Sequence, residues 1–311
     1  MKDVDSAALD CLAALADERS FERAAQRLSI TQSAVSQRLR SLEAQVGQLL
    51  VVRSRPLRLT EPGKVLLRFA RQLQALRTDV ARELGGQVTP NERIAIAVNA
   101  DSLATWVLPA LNSVVQAGLK QGFGLELVVD DQDFTHDWLR QGEVLGCIST
   151  VRQALRGCLV QPLGVMRYVA VASPAFMRTH LPDGLNASNF SSTPFLVVNR
   201  KDDCQVQWVA KAFGVRAPRL QERYVPSSDA YLRAVSMGWG VGVAPELQAR
   251  PLIASGELLA LRPDLGVDVT LYWHQWKLLS DLVAAPTRVA LLDQIGQALA
   301  LGAKTALLRG A

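Results

Sequence analysis

Any helix drawn through residues 32–46 puts Val35, Leu39, Leu42 and Val46 on one side and turns Gln32, Ser33, Ser36, Gln37 and Arg40 to the other. A solvated helix face is normally rich in Glu and Lys. Amides, hydroxyls and a guanidinium are instead the groups that hydrogen-bond base edges and phosphates in a major groove. Thr31, just ahead, has the side chain to cap such a helix. Arg53, Arg55 and Arg58 then fall within six residues, a density that suits phosphates or a minor groove better than a neutral hairpin. A second polar set follows apolar runs: Asn99, Asp101 and Ser102 after 94–98, Thr150 after 144–148, and Asn199, Asp202 and Asp203 after 195–198. Ser228 and Asp229 follow Pro226 at a helix start. In open α/β sheets, ligands sit at such strand ends, beside helix N-termini. Carboxylates there suit a ligand with cationic groups; helix capping is the competing reading for Asp101, Asp202 and Asp203, and local capping for Ser102, Thr150 and Ser228.

Catalysis finds little support. His136, His180 and His274 are dispersed, no Ser or Cys sits in a G-x-S-x-G turn, and Cys11, Cys147, Cys158 and Cys204 form no C-x-x-C pair. We therefore expect no enzyme, no metal site, no cofactor beyond a small effector, and cysteines that serve packing.

The positioning elements can be read from periodicity. Ala8, Leu9, Leu12, Ala13 and Leu15 mark a first helix; Ser20 caps a second, whose apolar stripe is Phe21, Ala24, Ala25 and Leu28. Ser29-Ile30 turns the chain into the helix at 32–46, giving a helix-turn-helix. Residues 49–59 read as a basic β-wing. Thr60-Glu61-Pro62-Gly63 opens a long helix to about Leu84, with Leu66, Phe69, Leu73, Leu76 and Val80 as the seam for a second subunit, packing on the first helix being the alternative. Gly85 to Pro90 reads as a hinge, beyond which short apolar runs alternate with helical stretches, as in an α/β unit of mostly parallel strands. The tryptophans 106, 208, 239, 273 and 276 read as core, and Gly238 to Pro245 as close backbone packing.

Charge agrees with this division. Of the net +5 over 311 residues, +4 lies before residue 91, where fourteen Lys or Arg face ten Asp or Glu. Without a basic, apolar leader or a membrane-length apolar run, a cytoplasmic protein with no membrane partner is expected.

The run from Ala24 to Glu43, with Arg53, Leu59-Thr60 and Gly63, closely resembles the N-terminal motif of LysR-type transcriptional regulators; Leu50-Val51 stands where the family usually has Phe after Leu, a conservative change. The stretches Val98 to Leu111, Asn199 to Asp203 and Val225 to Ser228 resemble the subgroup that regulates arginine and lysine export. The resemblance implies an α+β multidomain chain: a winged helix-turn-helix at 1–60, a linker and dimerisation helix at 61–86, and a periplasmic-binding-protein-like effector domain whose lobes are 92–161 with 266–308, and 162–265. It also implies a homodimer or homotetramer on double-stranded DNA near a promoter, contact with RNA polymerase, and activation of an exporter gene in response to L-lysine or L-arginine. Two alternatives stay open: a regulator of this type with another effector, such as an aromatic acid, and a replication-inhibiting or architectural DNA binder.

Overall fold

The computed structural model describes residues 4–83, 92–121, 123–130, 135–277 and 288–309; the expected hinge at 85–90 lies outside them. In the N-terminal unit, α1 (Ser6–Glu18) is the centre of the core, with Leu9, Leu12 and Leu15 fully buried. Asp5, Ser20 and Thr31 cap α1, α2 (Phe21–Arg27) and α3 (Gln32–Val46), their side-chain oxygens accepting from the N–H groups of Ala7, Arg23 and Ala34. Ser29 takes the left-handed backbone at φ 54° that the tight α2–α3 turn requires, and Gly47 ends α3 at φ 73°.

The wing is β1 (Val51–Val52) paired antiparallel with β2 (Arg58–Leu59). Glu43 of α3 fixes its base, accepting from Leu50 N–H at 2.9 Å. Thr60 donates its hydroxyl to the Leu49 carbonyl at 2.6 Å and accepts from Gly63 N–H at 3.1 Å, so the wing and α4 (Glu61–Glu83) share one anchor. A side chain on Gly63 would begin 2.0 Å from the Leu50 carbonyl oxygen, which explains why glycine stands there.

The C-terminal unit is built on one six-stranded sheet in the order β4-β3-β5-β10-β6-β9. Strands β3 (Glu92–Asn99), β4 (Phe123–Asp130) and β5 (Gly146–Ser149) form its first end, covered by α6 (Leu108–Gln121), α7 (Thr135–Arg140) and α12 (Arg288–Ala306). At the other end lie β9 (Gly242–Pro245), the parallel pair β7 (Pro194–Val197) and β8 (Gln221–Tyr224), and helices α9 (Cys204–Phe213), α10 (Ser228–Ser236) and α11 (Glu246–Ala254). A bridge between Phe195 and Val241 ties the β7–β8 pair to β9, and a Cβ on Gly240 would lie 2.4 Å from the Pro194 carbonyl oxygen, so the close packing expected of this glycine-rich run is real. Two long strands cross both ends: β6 (Cys158–Ala172) and β10 (Leu259–Trp276), antiparallel, with register shifts between Leu261 and Gly266 and between Leu271 and Tyr272.

The expectation of mostly parallel strands is thereby corrected. Among the described strands of this unit, β3–β4, β3–β5 and β7–β8 are parallel, whereas β5–β10, β10–β6 and β6–β9 are antiparallel. The return strands arise because the chain enters the second lobe along β6 and leaves it along β10 beside it. Trp106, Trp208, Trp273 and Trp276 are buried, whereas Trp239 is exposed. No described helix is long and apolar enough to cross a membrane.

Candidate DNA interface and effector site

The outward side of α3 is open. Gln32, Ser33, Gln37 and Arg40 are exposed, Thr31 beside them is exposed as well, and Ser36 is half-buried. Thr31 holds the helix start, its Oγ1 2.9 Å from Ser33 Oγ, and Arg40 Nε donates to the Ser36 carbonyl at 3.3 Å, which leaves most of its guanidinium free to reach outward. Arg53, Arg55 and Arg58 are exposed on the wing, with Arg53 lying over the Phe21 ring at 5.2 Å. Arg40, Arg53, Arg55 and Arg58 have no carboxylate partner among the described residues, in contrast to Arg23, Arg27, Arg71 and Arg77, which pair with Glu18, Asp17 or Asp10. Unneutralised cations beside a groove-sized polar helix face match the charge pattern of a duplex backbone.

Helix α4 has two faces. Leu66 and Leu73, read as seam positions, pack instead on the N-terminal core with Leu67 and Ala70. Phe69, Leu76 and Val80 remain 41%, 38% and 43% exposed, an apolar line left open by the described residues.

The effector residues partly converge. A cavity of about 280 Å³ opens where β3 and β4 end against α10 and the turn after β7. Of the expected residues it brings together Asp101, Asn199, Asp202 and Ser228, and adds Asp130, Tyr168 and Gln248. Thr150, Asp203 and Asp229 are not among its lining side chains. Asn99 and Ser102, on either side of Asp101 in the chain, are buried and do not line the cavity either, and their side-chain polar atoms find no hydrogen-bond partner among the described residues.

Asp101 is the junction of the two lobes. It enters on α5 (Ala100–Ser102), which continues through a π-helical turn (Leu103–Val107) into α6, and Thr105 braces it by donating to the Asp101 carbonyl at 2.6 Å. One carboxylate oxygen accepts from Ser228 at 2.7 Å and the other from Tyr168 at 2.8 Å, both donors belonging to the far lobe. Burial pushes the Asp101 carboxyl above its ordinary range, and the two hydroxyls only partly pull it back. Gln248 Oε1 lies 3.1 Å from the same Ser228 hydroxyl.

Asp202 faces the cavity but is largely engaged by its own turn, accepting from Val198 N–H, Cys204 N–H and the Gln205 amide at 3.0–3.2 Å. Asp130 escaped the sequence reading although it ends a strand paired in register with β3, opposite Asn99. Its Oδ2 accepts from Trp138 Nε1 at 2.9 Å. Among the described residues, three carboxylates and no Lys or Arg line the cavity. A larger groove of about 900 Å³ beside β6 and α12 has the opposite character, with Arg152, Lys304 and Arg309 and, among the described residues, no carboxylate.

Two family models match. The bacterial regulatory helix-turn-helix protein model of the lysR family covers residues 6–64, and the LysR substrate binding domain model covers residues 88–290. The chain belongs to the LysR family of transcriptional regulators. Among its curated relatives, ArgP of Aeromonas salmonicida is 42% identical over 283 residues, spanning 89% of this chain and 92% of that protein. LysG of Mycobacterium tuberculosis is 42% identical over 285 residues, with 91% of each chain covered. The crystal structure of ArgP from Mycobacterium tuberculosis superposes with a TM-score of 0.82 at 39% identity, covering 99% of this chain and 100% of that one. Full-length LysG from Corynebacterium glutamicum with bound effector Arg gives a TM-score of 0.74 at 33% identity, covering 98% and 100%. This LysR-type protein is a DNA-binding transcriptional regulator with an effector-binding domain, similar to ArgP and LysG, and the relatives it matches are regulators rather than enzymes.

Proposed function

We propose that this LysR-family regulator senses a basic amino acid, L-arginine or L-lysine, in the Asp101 cavity and transmits that state to duplex DNA held by α3 and the wing. The carrying observation is the acidic lining, from Asp101, Asp130 and Asp202, of a cavity small enough for a single amino acid. Asp101 pairs the α-ammonium, with Asn199 and Ser228 the other expected polar residues on the cavity wall. Asp101 already joins Ser228 and Tyr168 across the lobes, so an ammonium at this point favours one lobe arrangement through its differential affinity for it. The arginine-bound LysG relative supports the same ligand class.

On the DNA side, Gln32, Ser33, Ser36, Gln37 and Arg40 read base edges while Thr31, Arg53, Arg55 and Arg58 hold the backbone. The open line of Phe69, Leu76 and Val80 pairs two subunits into a homodimer, alone or within a homotetramer, which sets two recognition helices on two half-sites. In the cytoplasm the complex works with RNA polymerase at the promoter of an amino-acid exporter gene. Calorimetric titration of the full chain with L-arginine, L-lysine, L-citrulline and L-norleucine tests the sensing step. The two cations should bind and the neutral isosteres should not; equal binding of citrulline would remove the basic-effector reading.

A further inference from the structure

The winged unit and the first effector lobe meet along one side of α4. Arg68 and Arg71, three residues apart on the helix, share that side. The Arg71 guanidinium donates to the Gly142 carbonyl and lies 3.5 Å from Glu143, both in the turn that follows α7, and it also pairs with Asp17 at the end of α1. Asp17 is held in turn by Arg27 of α2 at 2.7 Å. One guanidinium thus ties α1 and α4 to the first lobe. Its side chain is only 19% exposed and that of Glu143 22%, which sets the group apart from the weak, fully solvated ion pairs of a protein surface. Packing at the same place is close. The Arg68 guanidinium lies over the Trp276 ring at 5.5 Å, and a Cβ on Gly142 would fall 2.5 Å from Arg68 Cγ and 3.1 Å from Arg68 Cα. Gly142 is therefore required twice, by its left-handed φ of 72° and by the approach of α4.

We propose that Arg71 is a positioning residue that, with Arg68 and Gly142, fixes the DNA-reading unit on the first effector lobe, so that α3 and the wing turn with that lobe. The regulatory consequence rests on the basic amino-acid reading of the cavity. Asp101 belongs to this same lobe, whereas its partners Ser228 and Tyr168 belong to the other. When the effector changes how the lobes meet, the second lobe moves against a body that already carries the DNA reader. The helix that makes this attachment also carries Phe69, Leu76 and Val80, so in a dimer it sets the bearing of each recognition helix toward its half-site. With the attachment loosened, effector binding loses its hold on that bearing. If Arg71 served only the winged unit through Asp17, its loss would lower stability and leave the bearing unchanged.

Pulsed electron paramagnetic resonance on the full-length protein tests this. Nitroxides at Gln48→Cys beside the wing and Gln153→Cys on the first lobe, both exposed positions, are placed in a Cys158→Ala background and diluted with unlabelled protein. Wild type should give one narrow distance, and Arg71→Ala should broaden or move it. Gly142→Ala should do the same with the Arg71 side chain intact, which guards against mistaking a folding defect for release. Arg77→Ala, on the same helix but paired with Asp10 inside the winged unit, should leave the distance as it is. In Arg71→Ala, L-arginine should bind within about twofold of wild type, while the factor by which it changes affinity for a duplex selected by the wild-type chain should shrink about twofold or more. A broad wild-type distribution, an unaltered distance in Arg71→Ala, or a full arginine effect on duplex affinity in that variant would overturn the proposal. A wild-type protein whose duplex affinity ignores L-arginine would instead remove the sensing reading, and the distances would still decide the attachment.

Discussion

Replacing Asp101 by Asn separates sensing from folding. The amide keeps the carboxylate's shape, its oxygen still accepts from Ser228, and its nitrogen can donate to the Tyr168 oxygen, so the bridge between the lobes persists without charge. What disappears is the charge that pairs the effector ammonium. Hydrogen bonds to a charged group contribute about 1.5–3 kcal/mol, so L-arginine affinity should fall about 10- to 150-fold. Stability should move the other way. Burial raises the Asp101 carboxyl on folding, so the folded chain holds that proton more tightly than the unfolded one. Its stabilising contribution is therefore present at acid pH and lost as pH rises through the raised value, leaving the ionised group a cost at neutral pH. Thermal melts at pH 7 should show an effector-free Tm for Asp101→Asn equal to or above wild type, with the arginine-induced increase abolished. A full arginine-induced Tm shift in the variant would refute the assignment of Asp101 as the ammonium partner.

Acidification should weaken L-arginine binding, beginning above the ordinary carboxylate range because burial raises Asp101 and the cation selects its ionised form; titrations across pH should show proton release on binding. Arg40→Ala should weaken DNA binding by about 1–3 kcal/mol if it reads a base and flatten the salt dependence if it holds a phosphate, while leaving arginine binding intact, as measured by gel shift at two ionic strengths. Gly63→Ala should destabilise the N-terminal unit by about 1–3 kcal/mol, because its Cβ would begin 2.0 Å from the Leu50 carbonyl; calorimetric melting checks this, and an unchanged Tm contradicts it. Leu76→Glu should shift sedimentation toward the monomer, since the exposed line of Phe69, Leu76 and Val80 is where a second subunit is expected.

The parts legible in the sequence were the local ones. Caps and stops at Ser20, Thr31 and Gly47 act within a few residues, so the bounds of α3 follow from side chains alone. The wing was equally local. β8, by contrast, is Gln221–Tyr224, exposed at every position, and carries no apolar alternation to betray a strand. The lengths of β6 and β10 were hidden by Pro162 and Gly164 in one and Pro263 and Gly266 in the other, which look like turns until the partner strand and its register shifts are seen. In the cavity, Asp101 was visible because a strand delivers it to a helix start, but Tyr168 and Gln248 reach it only through pairing distant in sequence. Asp130 had a usable signal, its place at the end of an apolar run beside β3, and Asp202 shows how the same local signal can mark a residue that also serves its own turn. The faces of α4 divided because Leu66 and Leu73 meet the N-terminal core, a competition that heptad spacing cannot resolve.

The account depends on one protein joining a duplex to a basic amino acid. Duplexes selected from a random library by the full-length chain, then footprinted with and without L-arginine, measure both at once. The prediction is an interrupted palindrome with two protected half-sites and a footprint that changes with L-arginine but not with L-norleucine. Failure to enrich any sequence at low salt, or a footprint indifferent to arginine and lysine, would contradict it.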